Sequence, residues 1–253
     1  MSVPGRQKVL IFDFDGTISL GDGPVRAYAR HVAESLPPTT AHDFLRSVEA
    51  GLDGELPVDL HPVDGYDLVR QLSDSFGASD EARSRAFLLS REELGTDAAP
   101  ITAPEGLPDF LAAARQHAHL VLATNSPQTR IDSALESLGV AAHFDSVHTS
   151  AGKPAGLEVI VDEWLGRFAN ADPAGALLSV GDIWVNDLQP AHLRDASTAL
   201  IGERADNAAT PTYSATTLHE LYPSLNDWLE STDPPAVSPQ RSTSTTSRPN
   251  DQR

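Results

Sequence analysis

Asp13 and Asp15 stand two positions apart at the end of a short apolar run, Val9 to Phe12, and Gly16 and Thr17 follow them at once. On an extended chain residues two apart face the same way, so both carboxylates are expected on one side. Like charges held that close repel unless a cation or hydrogen-bond donors lie between them. The pair therefore asks for a metal ion and for positive groups supplied from elsewhere in the chain. Three further polar clusters could answer it: Thr124-Asn125, Gly152-Lys153-Pro154, and Asp182 with Asp187 in the stretch GDIWVND, 181–187. Lysine usage singles out the second cluster. Lysine occurs only at positions 8 and 153, against sixteen arginines. Lys8 precedes the first apolar run and reads as solvated, whereas Lys153 reads as a placed charge.

The elements needed to position these residues can be read from apolar spacing. Residues 9–12 form a short apolar run, with Gly16 close behind it, the pattern of an interior strand of a parallel sheet. Val25, Tyr28, Ala29 and Val32 then start a series of about four helices through residue 94, broken at Pro37-Pro38, over 51–62 and at Gly77. From residue 103 helix and strand alternate. Helices are expected around Leu107–Ala114, Ile131–Leu138 and Leu157–Phe168, and strands over His119–Ala123, Asp145–His148, Ala176–Val180 and Thr198–Ile201. A strand, a helical insert and then alternating β and α imply an α/β fold. It is a Rossmann-like, doubly wound parallel sheet core with an inserted α-helical cap domain. The bounds are 1–18 and 103–230 for the core and 19–102 for the cap. Residues 231–253 hold nine serines and threonines, four prolines and almost nothing apolar, so they are expected to be a disordered tail. In sheets of this kind the ligand site lies beyond the carboxyl ends of the strands, where all four polar clusters fall.

Composition narrows the classes of function. The net charge of −18 disfavours nucleic acid and anionic membranes as partners, and any phosphate site must be locally positive. Without cysteine there is no disulfide framework, no thiolate metal site and no cysteine nucleophile. No apolar run reaches membrane-spanning length and no signal-peptide pattern opens the chain, so a cytoplasmic protein is expected.

Together, DxDGT at 13–17, the strand-terminal Thr124, GKP at 152–154 and GDxxxxD at 181–187 resemble the haloacid dehalogenase-like (HAD) hydrolase superfamily over residues 8 to about 204. The helical insert is similar to the cap of its phosphoglycolate phosphatase-like and β-phosphoglucomutase-like members. The resemblance implies a magnesium-dependent phosphatase acting on a small phosphorylated metabolite through an aspartyl-phosphate. Asp13 is implied as the nucleophile and Asp15 as general acid and then base, with Thr124 and Lys153 completing the catalytic set. Thr124, the backbone around Asn125, and Lys153 are implied to bind the phosphoryl group, and Asp13, the Asp15 carbonyl, Asp182 and Asp187 to hold Mg2+. True dehalogenases lack the second aspartate of the first motif, and phosphonate hydrolysis uses a cap lysine that residues 19–102 do not contain. A phosphosugar mutase is the alternative, and a non-catalytic interaction protein on the same fold is a further one. A monomer or homodimer is expected. Outside these sets, Thr17 is divided between turn and site, and Asn186 reads as a brace. Trp184 reads as a packing anchor, and His143 and His148 as surface or packing residues. The run LQPAHLRDA after GDIWVND departs from the small residues usual in relatives, through Pro190 and Arg194.

Overall fold

The structure, a computed structural model, describes residues 6–168, 171–202 and 209–231. The first strand, β1 (Val9–Phe12), is buried along its whole length. Val9 and Ile11 pack on one face of the sheet, and Leu10 and Phe12 on the other. Four helices follow: α1 (Gly23–Ala33), α2 (Pro38–Leu52), α3 (Gly65–Ser75) and α4 (Asp80–Glu92). Pro24 and Pro38 stand in the first turns of α1 and α2, where a missing N–H costs nothing. Asp64 and Ser79 cap α3 and α4, accepting hydrogen bonds from the backbone N–H of Asp67 and Ala82. These helices share a hydrophobic cluster of their own, built around Tyr28, Val32, Phe44, Leu68, Val69 and Leu72. The segments entering and leaving this insert meet at Leu20 and Thr102, which exchange backbone hydrogen bonds of 2.8 and 2.9 Å.

The remaining elements are α5 (Leu107–Ala114), β2 (His119–Ala123), α6 (Ile131–Ser137), β3 (Ser146–His148), α7 (Ala155–Arg167), α8 (Pro173–Ala176), β4 (Leu177–Gly181), a π-helical turn (Trp184–Leu188), α9 (Gln189–His192), β5 (Ser197–Ile201), β6 (Tyr213–Ala215) and α10 (Leu218–Glu230). Among the described residues the sheet has six strands, all parallel, in the order β3-β2-β1-β4-β5-β6. The chain winds outward from β1 in one direction and from β4 in the other, so the order reverses between these two central strands. That crevice is where a doubly wound sheet offers its ligand site.

Two elements lie beyond the sequence reading, which identifies five strands and stops at Ile201. β6 adds a sixth strand beside β5, and α10 covers one face of the core with Leu218, Leu221, Leu225 and Trp228. Lys8 is also not the solvated residue expected. Its ammonium donates to the carbonyls of Trp228, Leu229 (3.1 Å) and Ser231 (2.6 Å), capping the end of α10. The helical spacing of residues 157–168 is core as expected, with Trp164 buried against β1 and β2. Arg194 braces the surface by pairing with Glu158 (3.2 Å) and Asp162 of α7. Beyond Ser231, the tail expected to be disordered lies outside the described residues.

Candidate active site

The carboxyl ends of β1 and β4 bring Asp13, Asp182 and Asp187 together, with one carboxylate oxygen from each within 4.8 Å of the others. Strand pairing fixes Asp13, whose N–H donates to the Val180 carbonyl at 2.9 Å. Two glycines make room for the other two. A Cβ on Gly16, which has φ of +82°, would sit 2.3 Å from Asp182 Oδ2. One on Gly181 would sit 2.3 Å from the Asp187 Cβ. Asp187 is further held by the Ile183 N–H, 2.9 Å from its Oδ2, while Ser179 Oγ donates to its carbonyl.

Lys153, from the loop between β3 and α7, supplies the local positive charge. Its Nζ donates to Asp13 Oδ1 at 2.5 Å and to Asp187 Oδ1 at 2.6 Å, and its side chain is 4% exposed. Burial lowers the affinity of this amine for its proton, but the two carboxylates more than reverse that, and its pKa is raised. Burial pushes the Asp13 carboxyl well up. The charges of Asp187 and Asp182 push it further, and Lys153 works against them. Asp182 is pushed up to about 7, first by burial and then by the charge of Asp187. Its Oδ1 is buried without a hydrogen-bond partner among the described residues. Three carboxylates against one ammonium leave this cluster two charges short of balance. An all-oxygen donor set with an orphaned acceptor suits a hard divalent cation such as Mg2+.

Asp15 differs from its expected placement in one respect. Its carboxylate lies outside the three-carboxylate cluster, and the repulsion on Asp13 comes from Asp187 and Asp182 rather than from Asp15. The backbone turns after Phe14, where Thr17, Ile18 and Ser19 all donate to the Phe14 carbonyl, so the alternation of an extended chain ends there. Asp15 accepts instead from Ser126 Oγ (2.7 Å) and from Arg91 (3.1 and 3.5 Å), with the Tyr66 hydroxyl at 3.4 Å. Any share of Asp15 in metal binding therefore falls to its main chain. Thr124 is buried, and its Oγ1 accepts from the Ser126 N–H at 3.0 Å, which leaves the hydroxyl proton available to a ligand. Asn125 is occupied differently. Its Oδ1 accepts from the Lys153 N–H at 2.7 Å and its Nδ2 donates to the Lys153 carbonyl at 3.4 Å. The amide thus orients Lys153, and only the main chain of Asn125 is free for a phosphoryl group.

A cavity of about 170 Å³ opens onto this constellation. Asp13, Asp15, Thr124, Ser126, Lys153 and Asp187 form its floor, and Asp64, Tyr66 and Phe87 of the insert form its roof. Asn186, read from the sequence as a brace, also lines it. Trp184 is a packing residue as expected, buried with Leu188 and Leu200. Thr17 is fully buried in the turn, and its hydroxyl has no partner among the described residues. Arg91 and Tyr66 escaped the sequence reading. Tyr66 precedes Leu68, Val69 and Leu72 in the α3 stripe, and Arg91 is one arginine among sixteen, so neither carried a spacing signal.

A parallel, doubly wound sheet with three carboxylates and a lysine gathered where its strand order reverses defines a Rossmann-type α/β enzyme. The chain belongs to the haloacid dehalogenase-like hydrolases, whose family model matches residues 7–192. Among solved structures it is similar to the HAD-hydrolase YfnB from Bacillus subtilis, described in a magnesium-bound form. The two are 20% identical with a TM-score of 0.58, over 88% of this chain and 100% of that one. It is also similar to a predicted phosphoglycolate phosphatase from Haemophilus somnus, at 15% identity and a TM-score of 0.58, over 88% and 100% of the two chains. A Thermotoga maritima protein assigned as a β-phosphoglucomutase shares 17% identity and a TM-score of 0.55, over 87% and 99%. At these identities the likeness concerns the fold. Among the curated proteins no significant match is found.

Proposed function

We propose that this hydrolase is a magnesium-dependent phosphatase that cleaves a small phosphate monoester through an aspartyl-phosphate on Asp13. The observation that carries the reading is the Asp13 carboxylate, buried on the cavity floor, bonded to Lys153 and faced by two more carboxylates. An Asp13 oxygen attacks phosphorus, and the bond from phosphorus to the ester oxygen breaks. Asp15, on the same wall, delivers a proton to the departing alcohol. It then takes a proton from the water whose oxygen attacks the aspartyl-phosphate, so that phosphate leaves and Asp13 is restored. Lys153 offsets the negative charge of Asp13 and of the group in transfer, and the Thr124 hydroxyl donates to a phosphoryl oxygen. Asp13, Asp182, Asp187 and the Asp15 main chain would hold magnesium, which would supply the hard positive charge that this carboxylate set lacks. The magnesium described for the B. subtilis neighbour agrees with this assignment.

A cavity of about 170 Å³ suits a small leaving group. Transfer to a phosphosugar instead of water is the second reading, favoured by the likeness to the T. maritima protein. Purified protein with magnesium should release phosphate from members of a panel of sugar phosphates, phosphoglycolate, nucleotides and an aryl phosphate. Excess chelator should abolish that release, and full activity in chelator would contradict the metal assignment. Isomerisation of a hexose phosphate without phosphate release would favour the mutase.

A further inference from the structure

Arg91 lies near the end of α4, in the insert, and is fully buried. Burying a guanidinium costs several kcal/mol unless it is well partnered. Its partners here are few. Nη1 reaches Asp15 Oδ1 at 3.1 Å and the Tyr66 hydroxyl at 2.5 Å, Nη2 reaches Asp15 Oδ2 at 3.5 Å, and Nε has none among the described residues. The Tyr66 hydroxyl is itself 3.4 Å from Asp15 Oδ1, and the guanidinium stands 5.8 Å from the centre of the Tyr66 ring. The aromatic packing of the insert fixes both groups, since Phe87, one turn before Arg91 on α4, meets Tyr66 and Tyr28 edge-on at 5.9 and 6.0 Å. From the core, Asp15 receives one side-chain hydrogen bond among the described residues, from Ser126. Its other donors come from the insert.

We infer that Arg91, seconded by Tyr66, is a positioning residue for Asp15. The insert carries the guanidinium that sets the orientation of the core's acid–base carboxylate, so the reaction site is complete only with the insert seated on the core. This inference rests on the acid–base role proposed for Asp15. Arg91 is fully buried and is not among the residues that line the cavity, where a substrate would sit. Its loss should therefore lower kcat and leave KM for a small ester within about threefold.

The test is a double-mutant cycle in the full chain with magnesium, using phosphoglycolate as an alkyl ester and para-nitrophenyl phosphate as an activated one. Arg91→Met should lower kcat on the alkyl ester by about 10–100-fold, the scale of a misplaced catalytic group. Asp15→Asn should lower it by about 10²–10⁴-fold. The double variant should be no slower than Asp15→Asn alone, because Arg91 acts only through that carboxylate. Arg91→Lys should recover part of the loss. Tyr66→Phe, which keeps the ring and removes only the hydroxyl, should cost about two- to fivefold and serves if Arg91→Met fails to fold. With the activated ester, release of the first equivalent of nitrophenolate should be nearly as fast in Arg91→Met as in the wild type.

Multiplicative losses in the double variant, or a change confined to KM, would overturn the inference and leave the phosphatase reading standing. A wild type that releases phosphate from no member of the panel would overturn the phosphatase reading and this inference with it.

Discussion

The strand ends of the core and the helices of the insert bury charge in opposite ways. At the ends of β1 and β4, three carboxylates and one ammonium sit within bonding or ligand distance of each other, and apolar side chains only surround them. Within α1–α4 the packing is apolar and aromatic, and Arg91 is the one fully buried charge among the described residues there. A cluster as dense as the first is held at a cost in stability. The insert spends one charge, and aims it at Asp15. On the proposed mechanism the reaction chemistry belongs to the core, and the insert supplies orientation and the roof over the leaving group.

If that division holds, the largest effects should come from the core cluster. Asp13→Asn removes the nucleophile and should lower phosphatase turnover by about 10⁴–10⁶-fold. Thermal unfolding should show no loss of stability, since a buried carboxyl held far above its usual range has been replaced by a neutral amide. Lys153→Met comes next. It removes a preorganised charge from the group in transfer and should cost about 10²–10³-fold in kcat. It also strands two buried carboxylates, so the metal-free protein should melt earlier, by a penalty on the scale of ~3–5 kcal/mol for a broken buried pair. Lys153→Arg should rescue activity poorly, because a planar fork does not fit between Asp13 and Asp187 as a compact ammonium does. Wild-type turnover in that variant would show the position to be less exacting.

Asp182 gives the comparison a pH dependence. Its carboxyl sits at about 7 in the metal-free fold, against about 4 in an unfolded chain. Between those values the folded state holds the extra proton, so metal-free stability should fall as pH rises from about 4 to about 7. Asp182→Asn should flatten that slope and raise the metal-free melting temperature above pH 7, by about 2–4 °C for each kcal/mol recovered. Magnesium should no longer raise it. An unchanged pH slope in Asp182→Asn would place the strain elsewhere. The smallest effect is expected far from the site. Lys8→Met uncaps α10 and should cost about 0.5–1.5 kcal/mol of stability while kcat stays unchanged.

The same contrast explains what could be read from the sequence. Asp13, Thr124, Lys153 and Asp182 were legible because they end apolar runs or sit in short signatures, and a parallel sheet brings strand ends together whatever lies between them. Asp15 was legible as a residue but not in its orientation. Two-residue alternation holds only while the chain is extended, and the Phe14 turn ends it. Asn125 lines the cavity, and its amide binds the Lys153 backbone, a detail fixed by the fold of two loops 28 residues apart and not readable from the sequence. Arg91 and Tyr66 were illegible because helix–core docking, not local spacing, decides which arginine of an arginine-rich chain is buried. α10 was missed for another reason. Pro223 lies inside it, although Leu218, Leu221, Leu225 and Trp228 keep helical spacing around the proline.

The central claim is that phosphorus is transferred to Asp13, and one measurement meets it directly. Asp15→Asn keeps the size of the side chain and the main-chain carbonyl but cannot move a proton. An activated ester such as para-nitrophenyl phosphate needs little help in leaving, so the first transfer should proceed while hydrolysis of the aspartyl-phosphate stalls. The variant should be mixed with that ester and magnesium, quenched in acid and digested, and the peptides weighed. The account predicts one phosphoryl group per chain, on the peptide that carries Asp13 and on that residue, with one equivalent of nitrophenolate released and no steady turnover. Continued turnover with an unmodified Asp13 peptide, or phosphate found on any other residue, would contradict it.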